Sequence, residues 1–329
     1  MVSHITPALV AIISLLHLQP VQARWPEKGA YANPNTGIWG VSPSNLTEYF
    51  KSPNATGTYN FIGRDIAVPY EAPKLKDMPG YSWQASVVAD VPLTESESIK
   101  TTPEERINGS FTAAAVTLQI PAERPPHESW LLCVLSWQSN SGVYKSSDVT
   151  KEEAKEDKDK FPEGSCAPFF GEKCVNDIQD SITDDHATLS KWCSCPSSTS
   201  TKSCGDRLSA GRWASRCVAT LYNSSQIRDW PDGKLNIIQY GSEKGGMGNR
   251  TRYDEIGGSI WPVALVWGDS GKGYPKGALY MINRTASMSC VRAVNATEGS
   301  VAPSLGHREG LSTMLMSTGL MLAVWMALL

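Results

Sequence analysis

The chain has 329 residues, 41% of them hydrophobic, and is therefore long enough to bury a sizeable apolar core. Its 30 basic and 33 acidic residues give a formal net charge of -3, which excludes the strongly basic surface that nucleic acids or acidic lipids attract. We expect no nucleic-acid partner.

The N-terminal 23 residues are typical of a signal peptide. Residues 5–18 are mostly apolar but too few to span a bilayer, and a polar break follows that ends in Val21-Gln22-Ala23. Modest side chains at the first and third of these positions suit a signal peptidase. We expect residues 1–23 to be removed, so that the mature chain begins at Arg24.

The first part of the ectodomain, residues 24–150, is predicted to be rich in β-structure. Residues 24–77 contain many Pro, Gly and Asn residues, which indicates extended chain, turns and one or two short strands. Apolar residues alternate with polar or small ones over 81–91 and 112–120, as in half-buried strands. Residues 130–137 are apolar almost without interruption, which is typical of a strand buried on both faces.

A charged linker and a cysteine-rich insert are predicted at 151–222. Residues 151–160 mix both charge signs without an apolar stripe, which favours a solvated segment over a calcium loop, because no turn glycine or distal Glu stands at the required spacing. After it, Val175, Ile178 and Ile182 recur at helical spacing, and residues 208–218 show mixed helical character.

Strand character returns in the second part of the ectodomain, residues 223–294. Apolar runs at 235–240, 260–267, 278–282 and 290–294 are separated by glycine-rich turns. The fold class that we predict is mainly β, an antiparallel β-sandwich interrupted by a disulfide-rich α-helical insert.

Eight cysteines lie in the predicted mature region, and an even number in an exported chain indicates disulfides. They are Cys133, Cys166, Cys174, Cys193, Cys195, Cys204, Cys217 and Cys290. The six between 166 and 217 are expected to cross-link that segment to itself, and Cys133 is expected to pair with Cys290. Zinc is the alternative for the clustered cysteines, but their spacing matches no ribbon or finger, so we expect no metal or cofactor.

Seven Asn-x-Ser/Thr acceptors indicate passage through a glycosylating secretory pathway. They are Asn45, Asn54, Asn108, Asn223, Asn249, Asn283 and Asn295. Since an occupied acceptor must lie on the surface, all seven positions are predicted to be outside the core.

The C-terminal residues 311–329 are uncharged and mostly apolar, long enough to cross about 30 Å of hydrocarbon as a helix. Residues 295–310 before them supply small residues around Ser300 and a polar spacer. This predicts a glycosylphosphatidylinositol signal, in which the tail is removed and lipid is attached to Ser300, with Gly299 or Asn295 as alternatives. A retained membrane helix is the competing interpretation.

One motif resembles a catalytic site. Gly268-Asp269-Ser270-Gly271 has the letters around the nucleophile of chymotrypsin-like proteases, which also need a histidine base. The ectodomain offers only His127 and His186, neither in that family's sequence context, and a hairpin turn accounts for the same four letters. We predict no catalytic residues.

Tryptophan is the composition signal with functional content, because flat aromatic rings stack on sugars. Five tryptophans fall in predicted strands, where they fill a core, namely Trp83, Trp130, Trp137, Trp261 and Trp267. Trp39 and Trp230 stand beside turn-forming residues instead, and we expect them to be exposed and to contact glycan.

The whole layout resembles that of uncharacterised, lipid-anchored surface glycoproteins of filamentous fungi. The features that carry the resemblance are the signal peptide, the acceptor density, the eight cysteines and the small residues before an apolar tail. It implies a plasma-membrane or cell-wall location and a membrane partner through the lipid. We expect a non-catalytic adhesion, recognition or structural module, whose partner is cell-wall polysaccharide or a surface protein; an extracellular carbohydrate-active enzyme is the alternative.

Overall fold

The computed structural model describes residues 29–32, 37–70, 74–94, 102–121, 125–139, 144–145, 163–183, 193–196, 202–204, 215–270 and 285–301. The predicted signal peptide, the charged run at 151–160, the strand predicted at 278–282 and the apolar tail at 311–329 lie outside these ranges, as do His186 and Asn283.

The described part of the chain is mainly β. Its strands are β1 (Ala30–Tyr31), β2 (Ala55–Arg64), β3 (Asp77–Pro92), β4 (Gly109–Gln119), β5 (Trp130–Ser139), β6 (Tyr144–Lys145), β7 (Ser215–Asn223), β8 (Lys234–Gly241), β9 (Gly245–Gly246), β10 (Ser259–Asp269), β11 (Thr285–Val291) and β12 (Asn295–Ala296). Its α-helices are α1 (Pro43–Tyr49), α2 (Pro103–Asn108), α3 (Ala167–Phe170), α4 (Glu172–Thr183), α5 (Ser224–Arg228) and α6 (Arg250–Gly257).

The strands form two antiparallel sheets. The first has seven strands in the order β1-β8-β4-β3-β2-β12, with β9 paired to the start of β4. The second has five strands in the order β11-β10-β5-β7, with β6 paired to β10. The prediction of antiparallel β-structure is therefore confirmed.

Alternation in the sequence explains the long strands. Along β5, Leu132 and Val134 belong to one apolar cluster while Cys133 and Leu135 belong to another, because successive side chains of a strand point to opposite faces. This confirms that β5 is buried on both faces, and β10 is buried along its whole length in the same way.

The largest cluster, here called the shared cluster, receives side chains from both sheets. It includes Trp83 and Val116 from the first sheet with Leu132 and Trp261 from the second. Trp83 is fully buried and Trp261 is 1% exposed. Burial of such large rings contributes a large hydrophobic free energy to this cluster.

The opposite face of the second sheet is covered by a second apolar group, here called the disulfide cluster. It contains Leu135, Ala264 and Val266 from the sheet, Ile178 and Ile182 from α4, and several cystines. The helical spacing of Ile178 and Ile182 thus places them against the sheet, as an amphipathic helix requires.

All eight cysteines are paired, as predicted, in four disulfides. The bonds are Cys133–Cys193, Cys166–Cys290, Cys174–Cys204 and Cys195–Cys217. The predicted Cys133–Cys290 pair is wrong because β10 lies between β5 and β11: Cys133 stands opposite Val266, and Cys290 stands opposite Pro262. Two strand spacings of about 4.8 Å exceed the reach of a disulfide.

Three further expectations need correction. The segment from 166 to 217 is not closed on itself, because Cys166 and Cys193 bond to Cys290 and Cys133 in the sheet. The described part of the region with predicted helical character at 208–218 is strand β7, which pairs with β5 and owes its conformation to that ladder. The N-terminal region also contains more regular structure than its turn-forming composition indicates, with the ten-residue strand β2 and with α1, which starts at a Ser42 cap and Pro43.

Candidate functional site

Trp39 lies at one end of the first sheet in a strained loop. Its backbone has a φ of 49°, a left-handed value that costs a bulky residue free energy and that often marks functional positions. Its indole Nε1 donates to the Ser242 carbonyl over 2.7 Å, and its ring packs against a small apolar cluster that includes Ile38 and Val41. The loop therefore holds the ring in one orientation while leaving the side chain only half-buried.

A lysine covers the Trp39 ring. The Lys244 ammonium lies 5.1 Å from the ring centroid, within the range of a cation–π contact. This places a positive charge directly beside the partly exposed aromatic surface.

The second strained residue of the same end is Asp90, with a φ of 54°. It lies where the register between β3 and β4 shifts between Val88 and Val91, and a bulge of this kind turns a side chain away from the ladder. One Asp90 carboxylate oxygen accepts a hydrogen bond of 2.8 Å from the Gly248 amide. The bulge thereby connects β3 to the loop that carries Lys244.

Arg252 is a second cationic residue near this end of the first sheet. Its guanidinium packs against the backbone of Gly245, where an added Cβ would lie 1.4 Å from Nη1, so a side chain at 245 would displace the guanidinium. Its Nε lies 3.5 Å from a Glu243 carboxylate oxygen. Nε and Nη1 are buried and make no hydrogen bond within the described residues.

The arrangement at this end of the sheet combines an aromatic ring with a neighbouring positive charge. Trp39 supplies a half-buried aromatic surface and Lys244 supplies a cation beside it, whereas the Arg252 guanidinium is largely buried near Gly245 and Glu243. Within the ranges that the structure describes, no three His, Cys, Asp or Glu side chains are grouped so as to hold a metal ion. Sequence analysis missed Lys244, Arg252 and Asp90; the adjacent glycines at 245 and 246 were the available signal, because glycine marks close backbone approach.

Trp230 is not part of this site. It is 9% exposed, belongs to the shared cluster, and packs edge-on against Tyr222 at 5.2 Å between ring centroids. The expectation that it is exposed is therefore wrong: the residues after it form a short 3-10 turn that folds the indole inward.

The described residues of the Gly-Asp-Ser-Gly motif, 268–270, are bonded to the segment that carries His127. His127 Nδ1 is 2.9 Å from the Ser129 hydroxyl and also accepts from the Ser129 amide. The Ser270 hydroxyl donates to the Glu128 carbonyl over 3.1 Å. The His127 ring and Ser270 therefore both bond within the segment 127–129, since the Ser270 amide also donates to the Ser129 carbonyl over 2.7 Å.

The described glycosylation acceptors differ in exposure. Five are exposed, namely Asn45, Asn108, Asn223, Asn249 and Asn295, whereas Asn54 is half-buried. Asn223 and Asn249 also cap α5 and α6 through their carboxamide oxygens, which is compatible with a sugar on the nitrogen.

The segment that contains the predicted lipid attachment residue is part of the fold. Strand β12 pairs with the edge of β2, the Ser300 amide donates to the Thr297 carbonyl, and the Tyr253 hydroxyl donates to the Val301 carbonyl over 2.9 Å. Among the described residues, no helix is both long and apolar enough to cross a membrane.

No protein-family model matches the chain, and no match was found to a curated protein or to a solved structure.

Proposed function

We propose that the chain is an exported surface glycoprotein, tethered to the outer face of the plasma membrane or cell wall by a lipid on Ser300, and that it acts as a non-catalytic recognition, adhesion or structural module. The observation that carries this proposal is the pairing of all eight cysteines in four disulfides. Disulfides of this number form and persist in oxidising compartments, on the secretory route and outside the cell.

For the fold, we propose a β-sandwich in which the two sheets face each other across the shared cluster. Tyr81 and Trp83 of the first sheet and Trp267 of the second support this arrangement, since Tyr81 packs edge-on against Trp267 at 5.8 Å between ring centroids. Sheets that share such a layer of side chains are separated by about 10 Å.

For the tether, we propose that removal of the tail after Ser300 leaves the folded body intact. Thr297 is bonded to Pro53 and Asn54 upstream of the attachment residue, and among the contacts between described residues, processing would remove the one that the Val301 carbonyl accepts from Tyr253. The body would then end immediately at the lipid.

For recognition, the Trp39 end is the surface that we assign. Its half-buried ring and the neighbouring Lys244 fit a sugar ring that carries polar or anionic groups, as in cell-wall polysaccharide or in the glycan of a surface protein. We assign the remaining tryptophans in the shared cluster to the core.

The tether is tested on intact cells that express the full chain. Phosphatidylinositol-specific phospholipase is expected to release the protein into the medium, and a chain truncated after residue 310 is expected to be secreted without the enzyme. Retention of the full chain on the cell after treatment, while a known lipid-anchored control is released, would contradict the lipid tether.

Recognition is tested with immobilised wall polysaccharides. Trp39→Ala is expected to weaken binding at least about tenfold, which corresponds to about 1.4 kcal/mol and lies within the range of one aromatic contact. Trp39→Phe keeps a ring and loses only the bond to Ser242, so it is expected to retain most binding; Ile62→Ala, an exposed residue of β2, is the surface control. Equal binding by all four proteins would reject the Trp39 assignment.

A further inference from the structure

Asn54 differs from every other described acceptor because both the oxygen and the nitrogen of its carboxamide make hydrogen bonds. Its carboxamide oxygen accepts from the Ala89 amide over 2.7 Å, and its carboxamide nitrogen donates to the Ser300 hydroxyl over 3.3 Å. The nitrogen is the atom to which an N-linked sugar would be attached.

The oxygen of Asn54 has a defined structural task. Ala89 lies in the bulge of β3, where the ladder to β4 is interrupted between Val88 and Val91. A bulge leaves backbone groups without ladder partners, and a partly buried amide without a partner is destabilising. The Asn54 carboxamide satisfies the Ala89 amide across the sheet.

The carboxamide nitrogen and the backbone carbonyl of Asn54 make hydrogen bonds to the C-terminal segment, at Ser300 and Thr297. The Asn54 carbonyl accepts from both the amide and the hydroxyl of Thr297, at 3.0 and 3.1 Å. The Val294 amide donates to the Thr56 carbonyl over 3.1 Å. Together with the bond to Ser300, these contacts join residues 294–300 to the start of β2.

A sugar at this position would oppose these contacts. It would replace one of the two N–H groups of the carboxamide and place a bulky, hydrated group in a half-buried junction between β2, β3 and the C-terminal segment. The five exposed acceptors impose no such cost.

We infer that Asn54 carries no glycan in the folded protein, although it lies in an acceptor sequence, and that its carboxamide is a clamp that joins the bulge of β3 to the segment preceding the chain's C-terminal signal. The clamp consists of the two carboxamide bonds, from the Ala89 amide to the oxygen and from the nitrogen to the Ser300 hydroxyl.

One consequence rests on the proposed function, whereas the clamp itself does not. If Ser300 carries the lipid, the clamp holds the attachment point against the body, so the ectodomain lies directly at the membrane rather than at the end of a flexible stalk.

The test combines site occupancy with stability, using the full chain from a eukaryotic host. Glycopeptide mass spectrometry is expected to find the Asn54 peptide unmodified while the Asn45 peptide carries sugar. Thr56→Val removes the acceptor sequence but keeps the carboxamide and the β-branched strand residue, so its Tm should equal that of the parent chain. Asn54→Ala removes the clamp as well and should lower Tm by about 3 to 8 °C.

Two outcomes would overturn the inference: sugar on Asn54 in most folded molecules, or equal Tm values for Asn54→Ala and Thr56→Val. If Asn54→Ala is not secreted, the occupancy measurement on the parent chain still decides the question, and Asn54→Asp, which loses the donor to Ser300 but keeps the acceptor for Ala89, takes its place in the Tm comparison. These readouts do not depend on release by phospholipase, so the clamp and the lipid tether fail separately.

Discussion

The two faces of β5 and β10 show two different ways of stabilising the same strands. On one face, Leu132 and Trp261 are buried in the shared cluster among large aromatic rings from both sheets. On the other face, Leu135 and Val266 lie under α4 and four disulfides connect that covering layer to the sheet or to itself. The first face is therefore stabilised by apolar burial, and the second by apolar burial together with covalent cross-links.

The disulfides are expected to differ in how much each contributes to the free energy of unfolding. In the chain-entropy treatment, Cys166–Cys290, which closes 124 residues, contributes about 5 kcal/mol, and Cys195–Cys217, which closes 22, contributes about 3 kcal/mol. We therefore expect Cys166→Ser with Cys290→Ser to lower the free energy of unfolding more than Cys195→Ser with Cys217→Ser. Urea denaturation of both double variants measures the difference; the reverse order would show that packing at each site outweighs loop length.

A matched pair of leucines in β5 sharpens the comparison. Leu132 and Leu135 are both fully buried, one in each cluster, so Leu132→Ala and Leu135→Ala should each cost about 2–5 kcal/mol. In the presence of reductant, the cost of Leu135→Ala should shrink, because the layer that covers it loosens, while the cost of Leu132→Ala should persist. Denaturation curves with and without dithiothreitol check this, and equal responses of the two variants would remove the distinction between the faces.

The dependence of folding stability on alkaline pH is a smaller effect, and it is expected from tyrosines of the shared cluster. Burial raises the pKa of Tyr81 and of Tyr240, and both belong to the shared cluster. Above pH about 10 an unfolded tyrosine loses its proton while the buried one keeps it, so the unfolded state binds fewer protons and stability falls as pH rises. Tyr81→Phe should reduce this slope between pH about 9 and 11. An unchanged slope would show that Tyr81 does not contribute to the alkaline loss.

Much of the β-structure could be predicted because alternation and apolar runs are local features of the sequence. Alternation in 81–91 and the apolar run at 130–137 each specify a strand, and the structure has β3 and β5 there. Strand β7 was missed because its conformation depends on pairing with β5, which no local period reports. The disulfide partners were missed for the same reason, since the order of β5, β10 and β11 decides which cysteines approach.

The candidate site was only partly predictable. Trp39 stood out by its flanking glycines, but Lys244, Asp90 and Arg252 reach the same end of the sheet through β-bulge and loop geometry. The inward position of Trp230 and the bonded state of Asn54 follow from contacts between segments distant in sequence. Residue type alone does not report such contacts.

The most direct test of the account is a non-reducing peptide map of the protein purified from its host. The account predicts four linked peptide pairs, Cys133–Cys193, Cys166–Cys290, Cys174–Cys204 and Cys195–Cys217, with no free thiol. Recovery of these cysteines as free thiols would contradict both the covalent stabilisation of the disulfide cluster and the export of the chain to an oxidising compartment.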